Sequence, residues 1–286
     1  MKIMVTGGAG FIGSHLVDRL IELDHNVVIV DNLISGKREN INHETKFYEL
    51  DILDEAFSNI VVKEKPSVVF HLASVRGGME TSIDDVEMDK SNILGTLKVL
   101  DVCIDAGVKK IVYASSIDVY GNITGTSINE QETLVPKTNY ALSKYIPEKY
   151  VKAYSSKYEL DYSILRISNV YGKRMTNCGE GRPVFNLIKE KKSKQTSVAD
   201  DYVYIKDVVD ALVRVVSNGE KETYNVGFGV SYKLNKESIL PDIIQGHSSE
   251  KLFQIDKAKK DLGYDPRYDL YSGLKDMNYS IDSNLI

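Results

Sequence analysis

The first thirty-one residues constrain this chain more than any other stretch. "KIMV" at 2–5 is a short apolar run that stops at "TGGAGFIG". The next segment, "SHLVDRLIEL", repeats apolar residues at Leu16, Val17, Leu20, Ile21 and Leu23, and "NVVIV" at 26–30 is a second apolar run that ends on Asp31. Short apolar runs bounded by turn residues read as buried strands, and the spacing between them is that of one helix face. Strand, glycine turn, helix, strand and acid together form the unit that binds a dinucleotide. Gly7, Gly10 and Gly13 follow a G-x-x-G-x-x-G spacing, with Phe11 and Ile12 in the same cofactor-binding turn. Missing side chains let the backbone approach a pyrophosphate, and a helix N-terminus supplies directed N–H groups. Asp31 sits where a carboxylate accepts hydrogen bonds from the adenosine ribose and repels a 2′-phosphate. NAD is therefore expected over NADP, although Lys37 and Arg38 pull weakly the other way. The competing reading of the glycines is a structural turn with no ligand.

The pattern continues. "KFYEL" at 46–50, "SVVFHLA" at 67–73, "KKIVYASS" at 109–116 and "DYSILRIS" at 161–168 read as strands. Helices are expected in "DILDEAFSNIVVKEK", over roughly 88–106, and in "ALSKYIPEKYVKAYSSKY", where Pro147 should kink the helix or demand local compensation. Strands alternating with helices imply an α/β fold, a Rossmann-type doubly wound parallel sheet covered on both faces. After Asn169 turn residues dominate. A short helix is expected from "VFNLIKEKK", an amphipathic one at 207–218 and a strand in "ETYNVG". The expected division is a dinucleotide-binding domain over 1–170, rejoined by 204–227, with 171–286 mainly a smaller, discontinuous substrate-binding lobe.

Bulk properties narrow the function classes. The 286 residues carry a net charge of −5 with no basic stripe, which argues against nucleic acid. No stretch of 18 apolar residues suggests a membrane span, and "MKIMVTGG" is not a cleavable signal. Cys103 and Cys178 make neither a metal site nor a disulfide framework. No metal is expected, and a cytoplasmic location follows by elimination.

Ser115 and Ser116 close the fifth strand, and ligands of a doubly wound sheet collect beyond the carboxyl ends of strands. Tyr140 begins the next helix and Lys144 lies one turn below it. A lysine ammonium stabilises phenolate, lowering the tyrosine pKa from about 10. Tyrosine can then take a hydroxyl proton while hydride leaves the same carbon, with Ser116 holding that oxygen. The bland alternative is a turn serine and a surface tyrosine.

These stretches together resemble the extended short-chain dehydrogenase/reductase family, and within it the nucleotide-sugar epimerases of the uridine diphosphate glucose 4-epimerase type. "VTGGAGFIGSHLVDRL", "VVIVDNLISGKRENI", "VVFHLAS", "NILGTLKVL", "YASSIDVYG", "YALSK", "LRISNVYG", "YVYIKDVVDAL" and "DKAKKDLGYDP" occur in that group's order and cover almost the whole chain. The resemblance implies that Asp31, Asn32, Ser35 and Gly36 surround adenosine, and that Asp51 and Ile52 lie beside adenine. It sets Leu72, Ala73 and Ser74 against the cofactor and Asn92 near its nicotinamide half. Ser116, Tyr140 and Lys144 match the catalytic trio, with Lys144 also on the nicotinamide ribose, and Asn169 matches an asparagine that meets the substrate diphosphate. It further implies a homodimer through the helices near 89–106 and 140–157, with Leu94, Leu97, Leu100, Ile146 and Val151 as apolar positions.

Two departures stand out. Relatives carry an arginine just before the strand that here reads "DDYVY", and a later arginine is missing from "QGHSSEKLFQIDKAKK". Arg174, Arg182, Lys189 and His247 are the candidates to replace them. A 4,6-dehydratase of the same family reads "STDEVYG" where this chain has "SSIDVYG", so Ile117 removes an acid that dehydration uses. The expected reaction is NAD-dependent 4-epimerisation of a nucleotide-linked hexose. A dehydrogenase or reductase, a dehydratase, a decarboxylase and a non-catalytic NAD-binding regulator are the alternatives.

Overall fold

Strand residues that are apolar on both faces need cover on both faces, and the topology supplies it. The computed structural model describes residues 1–76, 83–121, 127–176, 184–185, 200–234, 239–241 and 252–279. In chain order the first half runs β1 (Lys2–Thr6), α1 (Phe11–Glu22), β2 (Asn26–Asp31), β3 (Lys46–Glu49), α2 (Glu55–Glu64), β4 (Val68–His71), α3 (Asp85–Asp89), α4 (Gly95–Asp105) and β5 (Lys110–Ser116). It continues through β6 (Ser127–Ile128), α5 (Asn139–Tyr158), β7 (Asp161–Ile167), β8 (Asn169–Tyr171), β9 (Asp200–Tyr204), α6 (Ile205–Arg214) and β10 (Glu222–Val226). The last elements are β11 (Ser231–Leu234), β12 (Ile239–Pro241), β13 (Leu252–Phe253), α7 (Asp256–Leu262) and α8 (Leu270–Asp276).

Seven strands form one parallel sheet in the order β10-β7-β5-β4-β1-β2-β3. Successive side chains leave opposite faces. Ile3 and Val5 of β1 enter one core and Met4 the other; Val27 and Ile29 of β2 part from Val28 and Val30 in the same way. Leu16, Val17 and Leu20 of α1 with Val208 and Leu212 of α6 cover the first face. Phe57 and Val61 of α2, Val99 and Leu100 of α4 and Val151 of α5 cover the second. Full burial of one such side chain stabilises by roughly 1.5–3 kcal/mol, so these two cores outweigh the ion pairs on the rim. The chain leaves β1 toward β2 on one side and returns to β4 on the other, which makes β1/β4 the point where strand order reverses.

Several expectations are adjusted by packing. The segment expected as a helix over roughly 88–106 starts earlier, because Asp84 caps α3 by accepting from the Glu87 N–H at 2.8 Å. It also contains a π turn at Lys90–Leu94 before α4. α5 continues through the buried Pro147 as one 20-residue helix, held by its buried face. α6 ends at Arg214, short of the expected 218. Leu100 and Val151, expected at a subunit interface, are core residues with no exposure, whereas Leu94 is exposed together with Val86 and Leu142. The helix expected from "VFNLIKEKK" lies outside the described residues except for 184–185.

A second sheet, β12-β11-β9-β8, stands at the carboxyl end of the first. The chain crosses from β7 to β8 over Ser168, whose Oγ donates to Asp201 Oδ1 at 2.6 Å. Asp201 also accepts from the backbone N–H groups of Phe228 and Gly229 at 2.9 and 2.6 Å, so one buried carboxylate joins three segments. Burial pushes its pKa up to about 6 against the pull of those donors. No helix among the described residues is long and apolar enough to cross a membrane.

At the opposite edge, Glu64 closes α2 and accepts from Lys2 (3.2 Å), Lys46 (2.5 Å) and Tyr48 (2.5 Å). The Lys46 and Tyr48 hydrogen bonds hold its carboxyl at about 2, well below the ordinary 4.5. A depressed folded pKa contributes stability that is complete above the unfolded pKa and disappears as pH falls through the folded one. Glu64→Gln should therefore be less stable than the parent by a constant margin above about pH 5, a margin that shrinks between pH 4.5 and 2. Urea unfolding across that range measures it. A margin that does not change with pH would remove Glu64 as the source.

Candidate active site

The glycine turn after β1 is built by close approach. Gly7 has φ +74°, and a β-carbon there would stand 2.6 Å from the backbone nitrogen of Ala73, past the end of β4. A β-carbon on Gly13 would stand 2.1 Å from the Gly7 carbonyl oxygen. Only hydrogen fits at either position, so α1 starts directly on the turn, with its first N–H groups toward the cleft at the strand-order reversal. Gly7, Gly10, Phe11, Ile12 and Gly13 all line that cleft.

Its next section comes from β2 and β3. Asp31 accepts from Ala9 N at 2.9 Å through one oxygen and from Leu33 N at 2.8 Å through the other. Burial pushes its pKa up while these donors pull it down. A carboxylate has about four acceptor positions, so Asp31 can tie the glycine turn to β2 and still receive ribose hydroxyls. Gly36 lies against it: a β-carbon there would come within 2.7 Å of Asp31 Oδ1. Asn32 donates to Asp51 Oδ2 at 2.6 Å, and both line the cleft with Ser35 and Ile52. Lys37 pairs with Glu39 at 3.6 Å, and Arg38 pairs with Glu49. These two cations, each already facing a carboxylate, do not line the cleft.

Leu72, Ala73 and Ser74 form the wall beyond β4. His71 beneath them is bonded to Thr6 Oγ at 2.8 Å and Thr96 Oγ at 2.9 Å. Burial, with help from the Lys144 charge, lowers its pKa to about 3, so the imidazole is neutral. Asn92 is placed behind this wall, not on it. Its Oδ1 accepts from Val75 N and its Nδ2 donates to Val75 O, both at 2.8 Å, and Nδ2 also reaches Ser143 Oγ at 2.9 Å. It sits in the π turn, a helix irregularity that often marks functional sites, and it fixes the wall to α5.

Ser116, Tyr140 and Lys144 border the same cleft. Ser116 caps a 3₁₀ turn, its Oγ accepting from Asp118 N at 3.1 Å. Thr138 caps α5 by accepting from Ala141 N at 3.0 Å, which puts half-buried Tyr140 in the first turn and buried Lys144 one turn on. Lys144 Nζ lies 5.2 Å from the centre of the Tyr113 ring. Ser115, read from sequence as closing the fifth strand, lines the cleft too, as do Val75, Ser91, Ile167, Ser168 and Val170, which were not singled out from sequence. Ser91 belongs to the π turn, and the others lie at or just past strands on the carboxyl edge.

The profile of the NAD dependent epimerase/dehydratase family matches residues 3–227. A UDP-glucose 4-epimerase of Mycolicibacterium smegmatis is 37% identical over 245 residues, 80% of this chain and 78% of that one. The solved UDP-glucose 4-epimerase of Thermotoga maritima, with UDP-glucose, is 35% identical and superposes with a TM-score of 0.86 over 97% of both chains. That of Thermus thermophilus, complexed with NAD, is 29% identical with a TM-score of 0.84 over 97% of both. The chain belongs to the NAD-dependent epimerase/dehydratase family. It is an enzyme of NAD-dependent nucleotide-sugar chemistry.

The cradle fits this family's cofactor: the Gly7–Gly13 turn has room for backbone contact only, Asp31 lines the cleft at the end of β2, and the nearby cations Lys37 and Arg38 each face a carboxylate rather than a site for a 2′-phosphate. On the substrate side, Asp200, near which the resemblance leads one to expect an arginine, begins β9. Arg174 pairs with Asp18 of α1 at 2.8 Å and does not line the cleft; Arg182, Lys189 and His247 lie outside the described residues. Asn169 is half-buried next to the cleft, its Nδ2 donating to Asp201 O at 2.9 Å.

A buried network holds this family's helix of tyrosine and lysine to its serine strand. Ser115 Oγ donates to Glu148 Oε1 at 2.6 Å, and Arg166 donates to both oxygens of Glu148 at 3.0 and 2.8 Å. Arg166 also reaches Tyr120 Oη at 2.8 Å, which donates to Asn225 Oδ1 at 2.6 Å. The side chains of Arg166 and Glu148 are 3% and 1% exposed. Breaking such a pair from one side leaves an uncompensated buried charge, at a cost of about 3–5 kcal/mol. Glu148→Leu should lose about that much in guanidinium unfolding, and a loss under about 1 kcal/mol would mean that the pair behaves like a surface one.

Proposed function

We propose that this chain is a 4-epimerase of a nucleotide-linked hexose, acting on UDP-glucose and UDP-galactose or their N-acetyl analogues. The observation that carries this reading is that Ser116, Tyr140 and Lys144 open onto the same cleft as the Gly7–Gly13 cradle. The two relatives solved as UDP-glucose 4-epimerases support the substrate class.

Bound NAD supplies a hydride acceptor that can return what it takes. The protein moves the proton. Tyr140 takes it from the C4 hydroxyl, Lys144 stabilises the phenolate and contacts the nicotinamide ribose, and Ser116 holds the same oxygen by hydrogen bond. The 4-keto sugar turns over while its nucleotide stays anchored, so binding energy remote from the ring retains the intermediate. Asn169 serves the diphosphate. Dehydration would need an acid at the hydroxyl that leaves as water, and Ile117 instead packs against the core.

Chromatography of products from UDP-glucose tests the reading: a galactose epimer without stoichiometric NADH is expected. Stoichiometric NADH with a stable oxidised product would select a dehydrogenase. Tyr140→Phe should keep NAD binding by calorimetry and lose turnover by roughly 10²–10⁴-fold, the scale of a positioned acid–base group. Lys144→Ala should lose both turnover and cofactor affinity. Near-normal turnover in Y140F would remove Tyr140 as the proton carrier.

A further inference from the structure

Tyr140 has a cation against its ring. The Arg76 guanidinium lies 4.4 Å from the centre of the Tyr140 ring, and its Nη2 is 3.6 Å from Asp118 Oδ2. Asp118 in turn donates its backbone N–H to Ser116 Oγ at 3.1 Å. A single chain of contacts thus runs from the serine through Asp118 and Arg76 to the tyrosine, the two hydroxyls that must meet at one substrate oxygen.

The base of Arg76 is fixed as well. The preceding residue, Val75, has both its N–H and its carbonyl held by Asn92, and Asn92 reaches Ser143, whose Oγ donates to Tyr140 O at 2.9 Å. The wall that carries Arg76 and the helix turn that carries Tyr140 are therefore locked to each other. Stability is a poor reason for this arrangement. The side chains of Arg76 and Asp118 are 37% and 33% exposed, and an ion pair that open to water stabilises little. A guanidinium over an aromatic face is attracted by its π-electrons, and the attraction grows when the ring becomes a phenolate.

We propose that Arg76 is a positioning residue for proton transfer: it clamps the Tyr140 ring in register with Ser116 and favours the phenolate, with Asp118 setting how much of its charge the ring feels. This rests on Tyr140 as the proton carrier. Among the described residues, the charged and titratable groups on the elements packed about Tyr140 include Arg76 against its ring, Asp118 paired with Arg76 on the 3₁₀ turn, Lys144 one turn on along α5, Tyr113 of β5 beside Lys144, and Asp85, which accepts from Asn139 at 2.5 Å at the start of α5. Opposite substitutions at Arg76 and Asp118 should move the phenol in opposite directions, which a merely structural contact would not do.

The test needs no substrate. Tyrosinate absorbance of the NAD-loaded protein is titrated for the parent, Arg76→Ala, Arg76→Lys and Asp118→Asn, each against the same protein carrying Tyr140→Phe, so that the difference isolates Tyr140. R76A should raise the midpoint by roughly half to one pH unit. R76K should recover part of that shift, and D118N should lower the midpoint. With UDP-glucose, kcat of R76A at neutral pH should fall about three- to tenfold, with unchanged NAD affinity. Unchanged midpoints, or R76A and D118N shifting the same way, would overturn the proposal. If Y140F retains turnover, the proton-carrier reading fails separately. If Y140F is inactive while R76A titrates like the parent, only the role of Arg76 fails.

Discussion

The contact between Gly13 and the Gly7 carbonyl sets the geometry on which the rest depends. A β-carbon at 2.1 Å from that oxygen is impossible, so α1 begins in van der Waals contact with the turn that ends β1. The same turn leaves Gly7 against the backbone of Ala73. Three chain segments therefore converge with nothing but backbone between them: the end of β1, the start of α1 and the wall beyond β4. The cleft at the strand-order reversal is what remains above that convergence, and Asp31 ties its far side by accepting from Ala9.

The edge proposed to react depends on a different kind of constraint. Tyr140 and Lys144 belong to α5, and Ser116 belongs to β5; no continuous chain fixes their distance. The buried pair of Glu148 and Arg166 does, because Glu148 also accepts from Ser115, the neighbour of Ser116. Arg166 stands opposite Ser115 in the β5–β7 register, so helix and two strands meet at one carboxylate. Desolvating two charges is costly unless their hydrogen bonds are complete, and here both oxygens of Glu148 are occupied. The small sheet is attached by a comparable device: Asp201 receives Ser168, Phe228 and Gly229, so the chain's exit from the main sheet is held to the loop after β10.

Much of this was legible in the sequence for a physical reason. β1, α1 and β2 are local, and their glycine spacing, apolar period and terminal acid each report a short-range requirement. Tyr140 and Lys144 share a helix face by arithmetic. Long-range choices were not legible. Asn92 was expected near the nicotinamide half from the resemblance, and that its amide would be bound at both ends to Val75 could not be read from sequence. Leu100 and Val151 were expected at an interface from the resemblance, yet a core face has the same period, and only packing separates them from exposed Leu94. Arg76 carried no motif. Its place over Tyr140 comes from the wall beyond β4 meeting the start of α5, a tertiary event that neither segment announces.

The central claim is that one cleft lets a hydride leave a sugar carbon and come back to it while Tyr140 shuttles the hydroxyl proton. UDP-glucose labelled with deuterium at C4 tests it most directly. After incubation with the NAD-loaded enzyme, the account predicts a galactose epimer that retains the deuterium at C4, with none released to water and no labelled reduced cofactor accumulating. Loss of the label to solvent, or its stoichiometric appearance in released NADH, would contradict the account.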